Sequence, residues 1–195
     1  MYRKEAAVIV VLMESNAAEH YSALVARWLT GPACITWVSG AGVEKVAEIL
    51  GADISSSSPM SWLDAQFERY DEDCESVLIG EAGAWVIALE PNGWEGSLPE
   101  QLNSLSKNGK ALNLYWDGPV RNEFRYSVNG QLTMDFNRST SGGAVQGIPF
   151  PDTLDDSWKI SALVLAEQLT GVRVGHEWME SEHLRFILSA GEEED

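Results

Sequence analysis

Residues 84–116, AWVIALEPNGWEGSLPEQLNSLSKNGKALNLYW, decide the fold that we expect for this chain. Their pattern predicts a strand, a tight turn, a helix and a second strand. The apolar β-run ends at Glu90, and Pro91-Asn92-Gly93 follows it as a strong turn signal. Ser97 and Glu100 have the spacing of a capping box with a proline in the first turn, which predicts where the helix begins.

Strand signals continue on both sides of this stretch. Alternation of apolar and polar residues predicts a β-meander over 110–136, in which Asn129-Gly130 is a type I′ hairpin turn. Residues 76–90 have the pattern of a further hairpin. Residues 55–58 are expected to form a loop that leads into a short helix at Ser58-Pro59, and residues 180–189 a last helix.

This uneven mixture of helices and strands is typical of the α+β class. We expect a single domain over residues 1–190, built as one mostly antiparallel twisted sheet with helices packed on one face. The hydrophobic fraction of 45% is sufficient for an ordinary core. Residues 191–195 (GEEED) are expected to form a disordered acidic tail, because carboxylates so closely spaced cannot pack.

The net charge of −17 is unevenly distributed. Residues 51–110 contain 11 Asp/Glu against 3 Lys/Arg, and residues 151–195 contain the same numbers. Binding to nucleic acid or to an anionic membrane surface requires clustered cations, so both are disfavoured. The partner that fits is a cationic protein, and the alternative is that the acidity only provides solubility.

The two cysteines, Cys34 and Cys74, match no zinc or CxxC spacing, which favours a reduced cytoplasmic protein. No apolar stretch is long enough to cross a membrane. Cys34 could be drawn into a catalytic triad with His20 and Asp53, but no catalytic signature surrounds the cysteine. We interpret Cys34 as a small buried hydrophobe and predict no catalytic residues.

Two further patterns resemble ligand sites without meeting their spacing. His176, Glu180 and His183 would share one face of a helix, but their order is not that of a zinc motif, and a solvated surface is favoured. Gly40-Ala41-Gly42 between a strand and a helix resembles a shortened phosphate loop. Lys45 stands at the third glycine position, so we expect a packed turn and predict neither a metal nor a cofactor.

Trp94 and the acidic clusters are the candidate contacts for a partner. A tryptophan in a turn is either a core residue or an exposed binding anchor, and burial is the favoured interpretation here. The acidic clusters are usually solvated, but they could converge on one electronegative surface. The predicted partner-binding residues are Asp71, Glu72, Asp73, Trp94, Glu95, Asp155 and Asp156.

Several segments resemble an uncharacterised, mostly actinobacterial family of small proteins, a domain of unknown function. They are residues 27–50, 85–97, 111–116 and 166–172, and within them EPNGW-GS is the most specific. The resemblance implies a compact bacterial domain and transfers no functional residue. The acidic insert around Asp71 and the tail after Gly191 depart from the family pattern.

These observations favour a non-catalytic acidic binding protein. The expected roles are an inhibitor or immunity-type protein that masks a cationic partner such as a toxin, or an accessory subunit of a bacterial assembly. One alternative is a DNA mimic whose carboxylates imitate phosphates. The other is an enzyme with a scattered active site, which a cleft holding His, Asp and Arg with shifted pKa values would support.

Overall fold

The computed structural model describes residues 16–71, 74–118, 121–137, 144–145, 148–149 and 157–188. Its main element is an eight-stranded sheet in which all neighbouring strands are antiparallel. Its strands are β1 Ala33–Ser39, β2 Ala52–Met60, β3 Ser76–Ala82, β4 Trp85–Pro91, β5 Lys110–Asp117, β6 Arg121–Val128, β7 Gln131–Asn137 and β10 His183–Leu188. Strands β8 Ala144–Val145 and β9 Ile148–Pro149 form a separate pair.

The strand order β2-β10-β3-β4-β1-β5-β6-β7 places β1 in the interior of the sheet. β1 pairs with β4 on one side and with β5 on the other. Its first six residues are buried, which suits a run rich in β-branched and aromatic side chains. The predicted α+β class with a mostly antiparallel sheet is confirmed.

The helices are α1 over residues 16–28, α2 Val43–Ile49, α3 Trp62–Asp71, α4 Pro99–Leu105, α5 Ser157–Thr170 and α6 His176–Glu180. Two short helices, α2 and α4, pack on one face of the sheet. Buried residues of α2 and α4 join strand residues in one core: Val46, Ala47, Leu102, Leu105, Val38, Val77, Ala88 and Phe186. Helix α3 lies on the opposite face, where Glu68 pairs with Arg185 of β10.

Both predicted hairpins are present. Asn129 and Gly130 have φ of 51° and 78°, as a type I′ turn requires. The predicted meander corresponds to β5, β6 and β7, and β3 pairs with β4 as expected.

The prediction of a loop over residues 55–58 followed by a helix at Ser58-Pro59 is wrong. These residues belong to β2, which is an edge strand of the sheet. A proline is tolerated there because its missing N–H can face away from the ladder. The Ser56 hydroxyl also accepts a hydrogen bond from the Ile187 N–H at 2.9 Å, so a serine side chain supplements the backbone pairing.

The predicted helix over residues 180–189 is also wrong. α6 ends at Glu180, and β10 inserts between β2 and β3. Phe186 and Leu188 are buried two residues apart, which is the period of a strand.

Ser97 does not cap α4. It lies in the 3₁₀ turn Glu95–Ser97, and Leu98 occupies the N-cap position without a side-chain hydrogen bond. Proline is in the first turn of α4 as predicted.

Contacts divide the chain into two compact units, Gly31–Ser141 with His176–Asp195, and Met1–Thr30 with Gly142–Gly175. The described part of the second unit contains α1, α5 and the β8–β9 pair. Within that unit, Arg173 pairs with Glu167 at 2.7 Å, while burial and the nearby Glu167 carboxylate raise the pKa of Tyr21. The assignment of residues 1–190 to one domain stays a prediction. None of the helices described is both long and apolar enough to cross a membrane.

Candidate functional site

A cleft of about 190 Å³ opens where β4 runs into the turn that follows it. The cleft lies entirely within the unit that contains the large sheet. Its lining includes the ends of β4 and β5, the start of β3 and the C-terminal turn of α3. The lining residues that determine its chemistry are Arg69, Glu75, Ser76, Glu90, Trp94, Glu95, Tyr115 and Asp117.

Glu90 organises the turn that forms the mouth of the cleft. It is fully buried at the end of β4, and its two carboxylate oxygens accept the backbone N–H groups of Glu95 and Gly96, each at 2.8 Å. The turn passes so close to the sheet that a Cβ on Gly96 would lie 2.2 Å from the Thr36 hydroxyl. A buried carboxylate and a glycine therefore fix the path of the EPNGWEG segment.

Glu90 belongs to a buried polar cluster at the end of the sheet. The Asn113 side-chain nitrogen lies 3.0 Å from the Cys34 sulfur and 2.9 Å from the Thr36 hydroxyl. Burial raises the pKa of Cys34 well above its ordinary value, and the neighbouring Glu90 raises it further. The Cys34 thiol is therefore protonated at neutral pH and is not an activated nucleophile.

Burial also raises the pKa of Glu90, from 4.5 to about 7. Hydrogen bonds from Gly96, Cys34 and Glu95 favour the charged form and oppose this shift. Desolvation prevails because the carboxylate is removed from water on the interior side of the turn. Glu90 consequently exchanges a proton near physiological pH.

Trp94 is exposed, so the interpretation that it is a buried core residue is wrong. Its side chain is 55% exposed, and its indole N–H donates to the Glu95 carboxylate at 3.0 Å. The turn held by Glu90 directs the indole outward, while the neighbouring strand residues fill the core. Two predicted partner-binding residues, Trp94 and Glu95, are thus brought together at one cleft.

The cleft is acidic. Glu75, Glu95 and Asp117 line it together with Glu90, and they come from three separate stretches of sequence. The cation in its lining is Arg69, which pairs with Glu75 at 3.2 Å. Carboxylates thus outnumber cations along this wall, so the cleft carries a negative potential.

Of the other predicted partner-binding residues, the structure describes only the backbone of Asp71. Asp71 is the last residue of α3, close in sequence to Arg69 and Glu75. Glu72, Asp73, Asp155 and Asp156 lie outside the described residues.

The His176, Glu180 and His183 pattern does not form one helical face, because α6 ends before His183. The His183 ring stacks on Trp178 at 4.0 Å, and its Nε2 lies 2.8 Å from the Trp178 carbonyl. Burial lowers the pKa of His183, which favours the neutral ring. In the described parts of the chain, no three His, Cys, Asp or Glu side chains are grouped to hold a metal ion.

The members of the hypothetical triad each have other partners. Asp53 accepts hydrogen bonds from the hydroxyl and the N–H of Ser55, which lower its pKa. It lies on β2, four strands along the sheet from Cys34 on β1. The Nε2 atom of His20 lies 2.7 Å from the carbonyl oxygen of Val174.

The glycine turn after β1 is packed. Gly40 has φ of +83°, and a Cβ there would lie 2.4 Å from the Asn108 carbonyl oxygen. The glycine is required by this close approach of two backbones, which agrees with the packed-turn interpretation.

Comparison with known proteins supports the family resemblance and adds no activity. A family model described as a family of unknown function, DUF6461, matches residues 18–190. The chain belongs to DUF6461. No curated protein and no solved structure matches this DUF6461 chain.

Sequence reasoning missed three of the polar residues that line the cleft of this DUF6461 chain, Ser76, Glu90 and Asp117, and it included Glu75 only as the end of the acidic cluster Asp71–Glu75. Glu90 carried a signal, because it is a charged residue that ends an otherwise apolar strand immediately before a turn. Asp117 and Ser76 carried none, since their approach depends on the strand order of the sheet.

Proposed function

We propose that this DUF6461 chain is a non-catalytic binding protein whose acidic cleft receives a cationic group of a protein partner. The observation that carries the proposal is Trp94, an indole that is 55% exposed and fixed by Glu95 beside further carboxylates. Exposed tryptophans held in one orientation are frequent energetic centres of protein interfaces. Carboxylates around such an anchor attract and orient cations.

The size of the cleft supports a side chain as its occupant. Its volume of about 190 Å³ is below the roughly 300–1,000 Å³ of pockets for drug-sized ligands. A cleft of this size accommodates one large side chain, and the remaining contacts would come from the surface around it. The partner that we propose is therefore a protein with a protruding cationic residue.

The biological role that fits is an inhibitor or immunity-type protein that masks a cationic partner such as a toxin in a bacterial cytoplasm. An accessory subunit of a bacterial assembly uses the same contact chemistry. The overall charge of −17 supports either role, because long-range attraction accelerates association with a cationic surface.

One observation favours an enzyme as the second candidate. Glu90 lines the cleft, and its pKa of about 7 is that of an efficient general acid or base. However, Glu90 is fully buried and both of its oxygens accept backbone N–H groups, so it is poorly placed to exchange a proton with a substrate. We therefore favour a structural role for Glu90.

A capture experiment tests the proposed function. The tagged chain is used to recover partners from the native lysate, and the affinity of the purified partner is then measured. Trp94→Ala should weaken binding by at least about 30-fold, as truncation of a hot-spot tryptophan does. Phe67→Ala is the matched control, because Phe67 is 64% exposed and does not line the cleft. Equal affinities of the two variants would contradict the proposal.

A further inference from the structure

We infer that the cleft selects the guanidinium group of arginine over the ammonium group of lysine. This inference rests on the proposed function, and it specifies the chemistry of the cationic group. The two cations differ in shape and in hydration: guanidinium is planar and weakly hydrated, whereas ammonium is compact and strongly hydrated. The lining of the cleft distinguishes these properties.

Trp94 provides an aromatic surface at the cleft. Trp94 leaves more than half of its side chain exposed, and the Glu95 carboxylate fixes its indole N–H at 3.0 Å. An exposed indole that is hydrogen-bonded at its N–H offers a flat face on which a guanidinium plane can stack. Stacking leaves the N–H groups at the edge of the guanidinium free to reach neighbouring acceptors.

Beside the cleft, one of the chain's own arginines, Arg121, is held between an aromatic ring and a carboxylate. The Arg121 guanidinium lies 5.1 Å from the centre of the Tyr115 ring, and its Nε lies 2.7 Å from the Glu123 carboxylate. Tyr115 also lines the cleft. An aromatic ring with an adjacent carboxylate is therefore a guanidinium site that this fold already builds.

The acceptors at the cleft suit a group with several donors. Glu95 uses Oε1 for the indole of Trp94, which leaves Oε2 for a ligand. Asp117 is an exposed carboxylate in the same lining. A guanidinium has five N–H donors in a fixed fork and can reach more than one acceptor at once.

A buried hydroxyl provides an independent indication of a missing donor. Ser76 lines the cleft and is only 3% exposed, yet its Oγ has no hydrogen-bond partner in the described structure. Buried polar groups are nearly always paired, so this hydroxyl is available to a polar group that enters the cleft. An arginine side chain that enters the cleft would supply this donor.

The test uses blocked amino acids as probes and the tryptophan side-chain signals of ¹⁵N-labelled protein as the readout. Trp94→Phe identifies the Trp94 indole signal. Trp178, whose indole donates to the Glu81 carbonyl at 3.2 Å, serves as an internal reference away from the cleft. The titrants are the N-acetyl methylamides of arginine, lysine and citrulline, together with free arginine.

We expect the blocked arginine to shift the Trp94 signal with an affinity about five-fold higher than that of blocked lysine, while citrulline has no effect. Asp117→Asn should weaken binding of blocked arginine, and Glu100→Gln, which removes an exposed carboxylate from α4, should not. Free arginine should bind no more tightly than the blocked form, because both carry the same guanidinium and the same net charge of +1.

Equal affinities for blocked arginine and lysine would overturn the guanidinium inference, and the proposed function would stand if partner binding still depends on Trp94. Tighter binding of free arginine would show that the ligand is the amino acid and would overturn the assignment to a protein side chain. If no titrant shifts the Trp94 signal, the inference fails. A partner that is indifferent to Trp94→Ala would remove the proposed function separately.

Discussion

At the scale of single residues, Glu90 is the side chain on which the candidate site depends. It is a carboxylate at a fully buried position, where a charge normally destabilises a fold. Its two hydrogen bonds to the N–H groups of Glu95 and Gly96 offset part of that cost and fix the turn. Trp94 is presented to solvent because this turn is fixed.

Glu90 should make stability depend on pH. Its pKa is raised from 4.5 to about 7 in the folded protein, so the folded state binds the proton more tightly than the unfolded chain does. The stabilising effect of the protonated group is complete below pH 4.5 and is lost as the pH rises to about 7. We expect the free energy of unfolding of the wild type, minus that of Glu90→Gln, to fall across this interval and to be constant above it.

Urea unfolding at a series of pH values measures this difference. Subtraction removes the contributions of other groups, including His183, whose lowered pKa produces the opposite slope. Glu90→Gln should also be less stable than the wild type at every pH measured, because the amide nitrogen of glutamine cannot accept a backbone N–H. A difference that is flat from acid to neutral pH would show that Glu90 does not titrate in this interval.

At the scale of elements, the β6–β7 hairpin determines the register at one end of the sheet. Gly130 has φ of 78°, a backbone conformation in which a β-branched side chain is strained. Space is not the obstacle, because the nearest atom to an added Cβ would be the Asn103 carbonyl oxygen at 3.6 Å. Gly130→Val should therefore reduce the free energy of unfolding by about 1–3 kcal/mol. Thermal or urea unfolding of the purified variant provides the measurement.

Gly31→Val is the matched control for the hairpin. Gly31 has no positive φ, and a Cβ there would meet nothing within 4 Å. Its substitution should change the free energy of unfolding by no more than about 0.5 kcal/mol. If both variants lose the same stability, the effect is that of any added side chain and not of the turn.

Elements with a local signal could be predicted from the sequence, and elements that depend on distant partners could not. The Asn129-Gly130 turn and the alternating strands around it are local, and both were predicted correctly. β10 reads as a helix in isolation because HLRFIL carries no turn signal, and its strand state comes from insertion between β2 and β3. Pro59 made β2 resemble a helix start, although an edge strand accepts proline equally well.

At the scale of the whole molecule, the acidic composition was visible in the sequence, but the grouping of carboxylates around one cleft was not. The candidate cleft takes its carboxylates from β4, the following turn, the end of β5 and the segment before β3. The strand order brings β4 and the turn that follows it close to the end of β5 and the segment before β3. Of the residues predicted to bind a partner, Trp94 and Glu95 line this cleft, because they belong to the turn that forms its mouth.

The central claim is that a cationic partner is attracted to this cleft, and association kinetics test it most directly. The association rate of the captured partner is measured by stopped flow as salt rises from about 10 mM to about 150 mM, which shortens the Debye length from about 30 Å to about 8 Å. The wild type is compared with Glu95→Gln/Asp117→Asn in the cleft and with Glu44→Gln/Glu100→Gln as a control of equal charge elsewhere.

We expect the wild-type association rate to fall at least about ten-fold over this range, and the cleft variant to associate more slowly and with less sensitivity to salt than the control. An association rate that does not respond to salt, or that changes equally in the two double variants, would contradict the central claim.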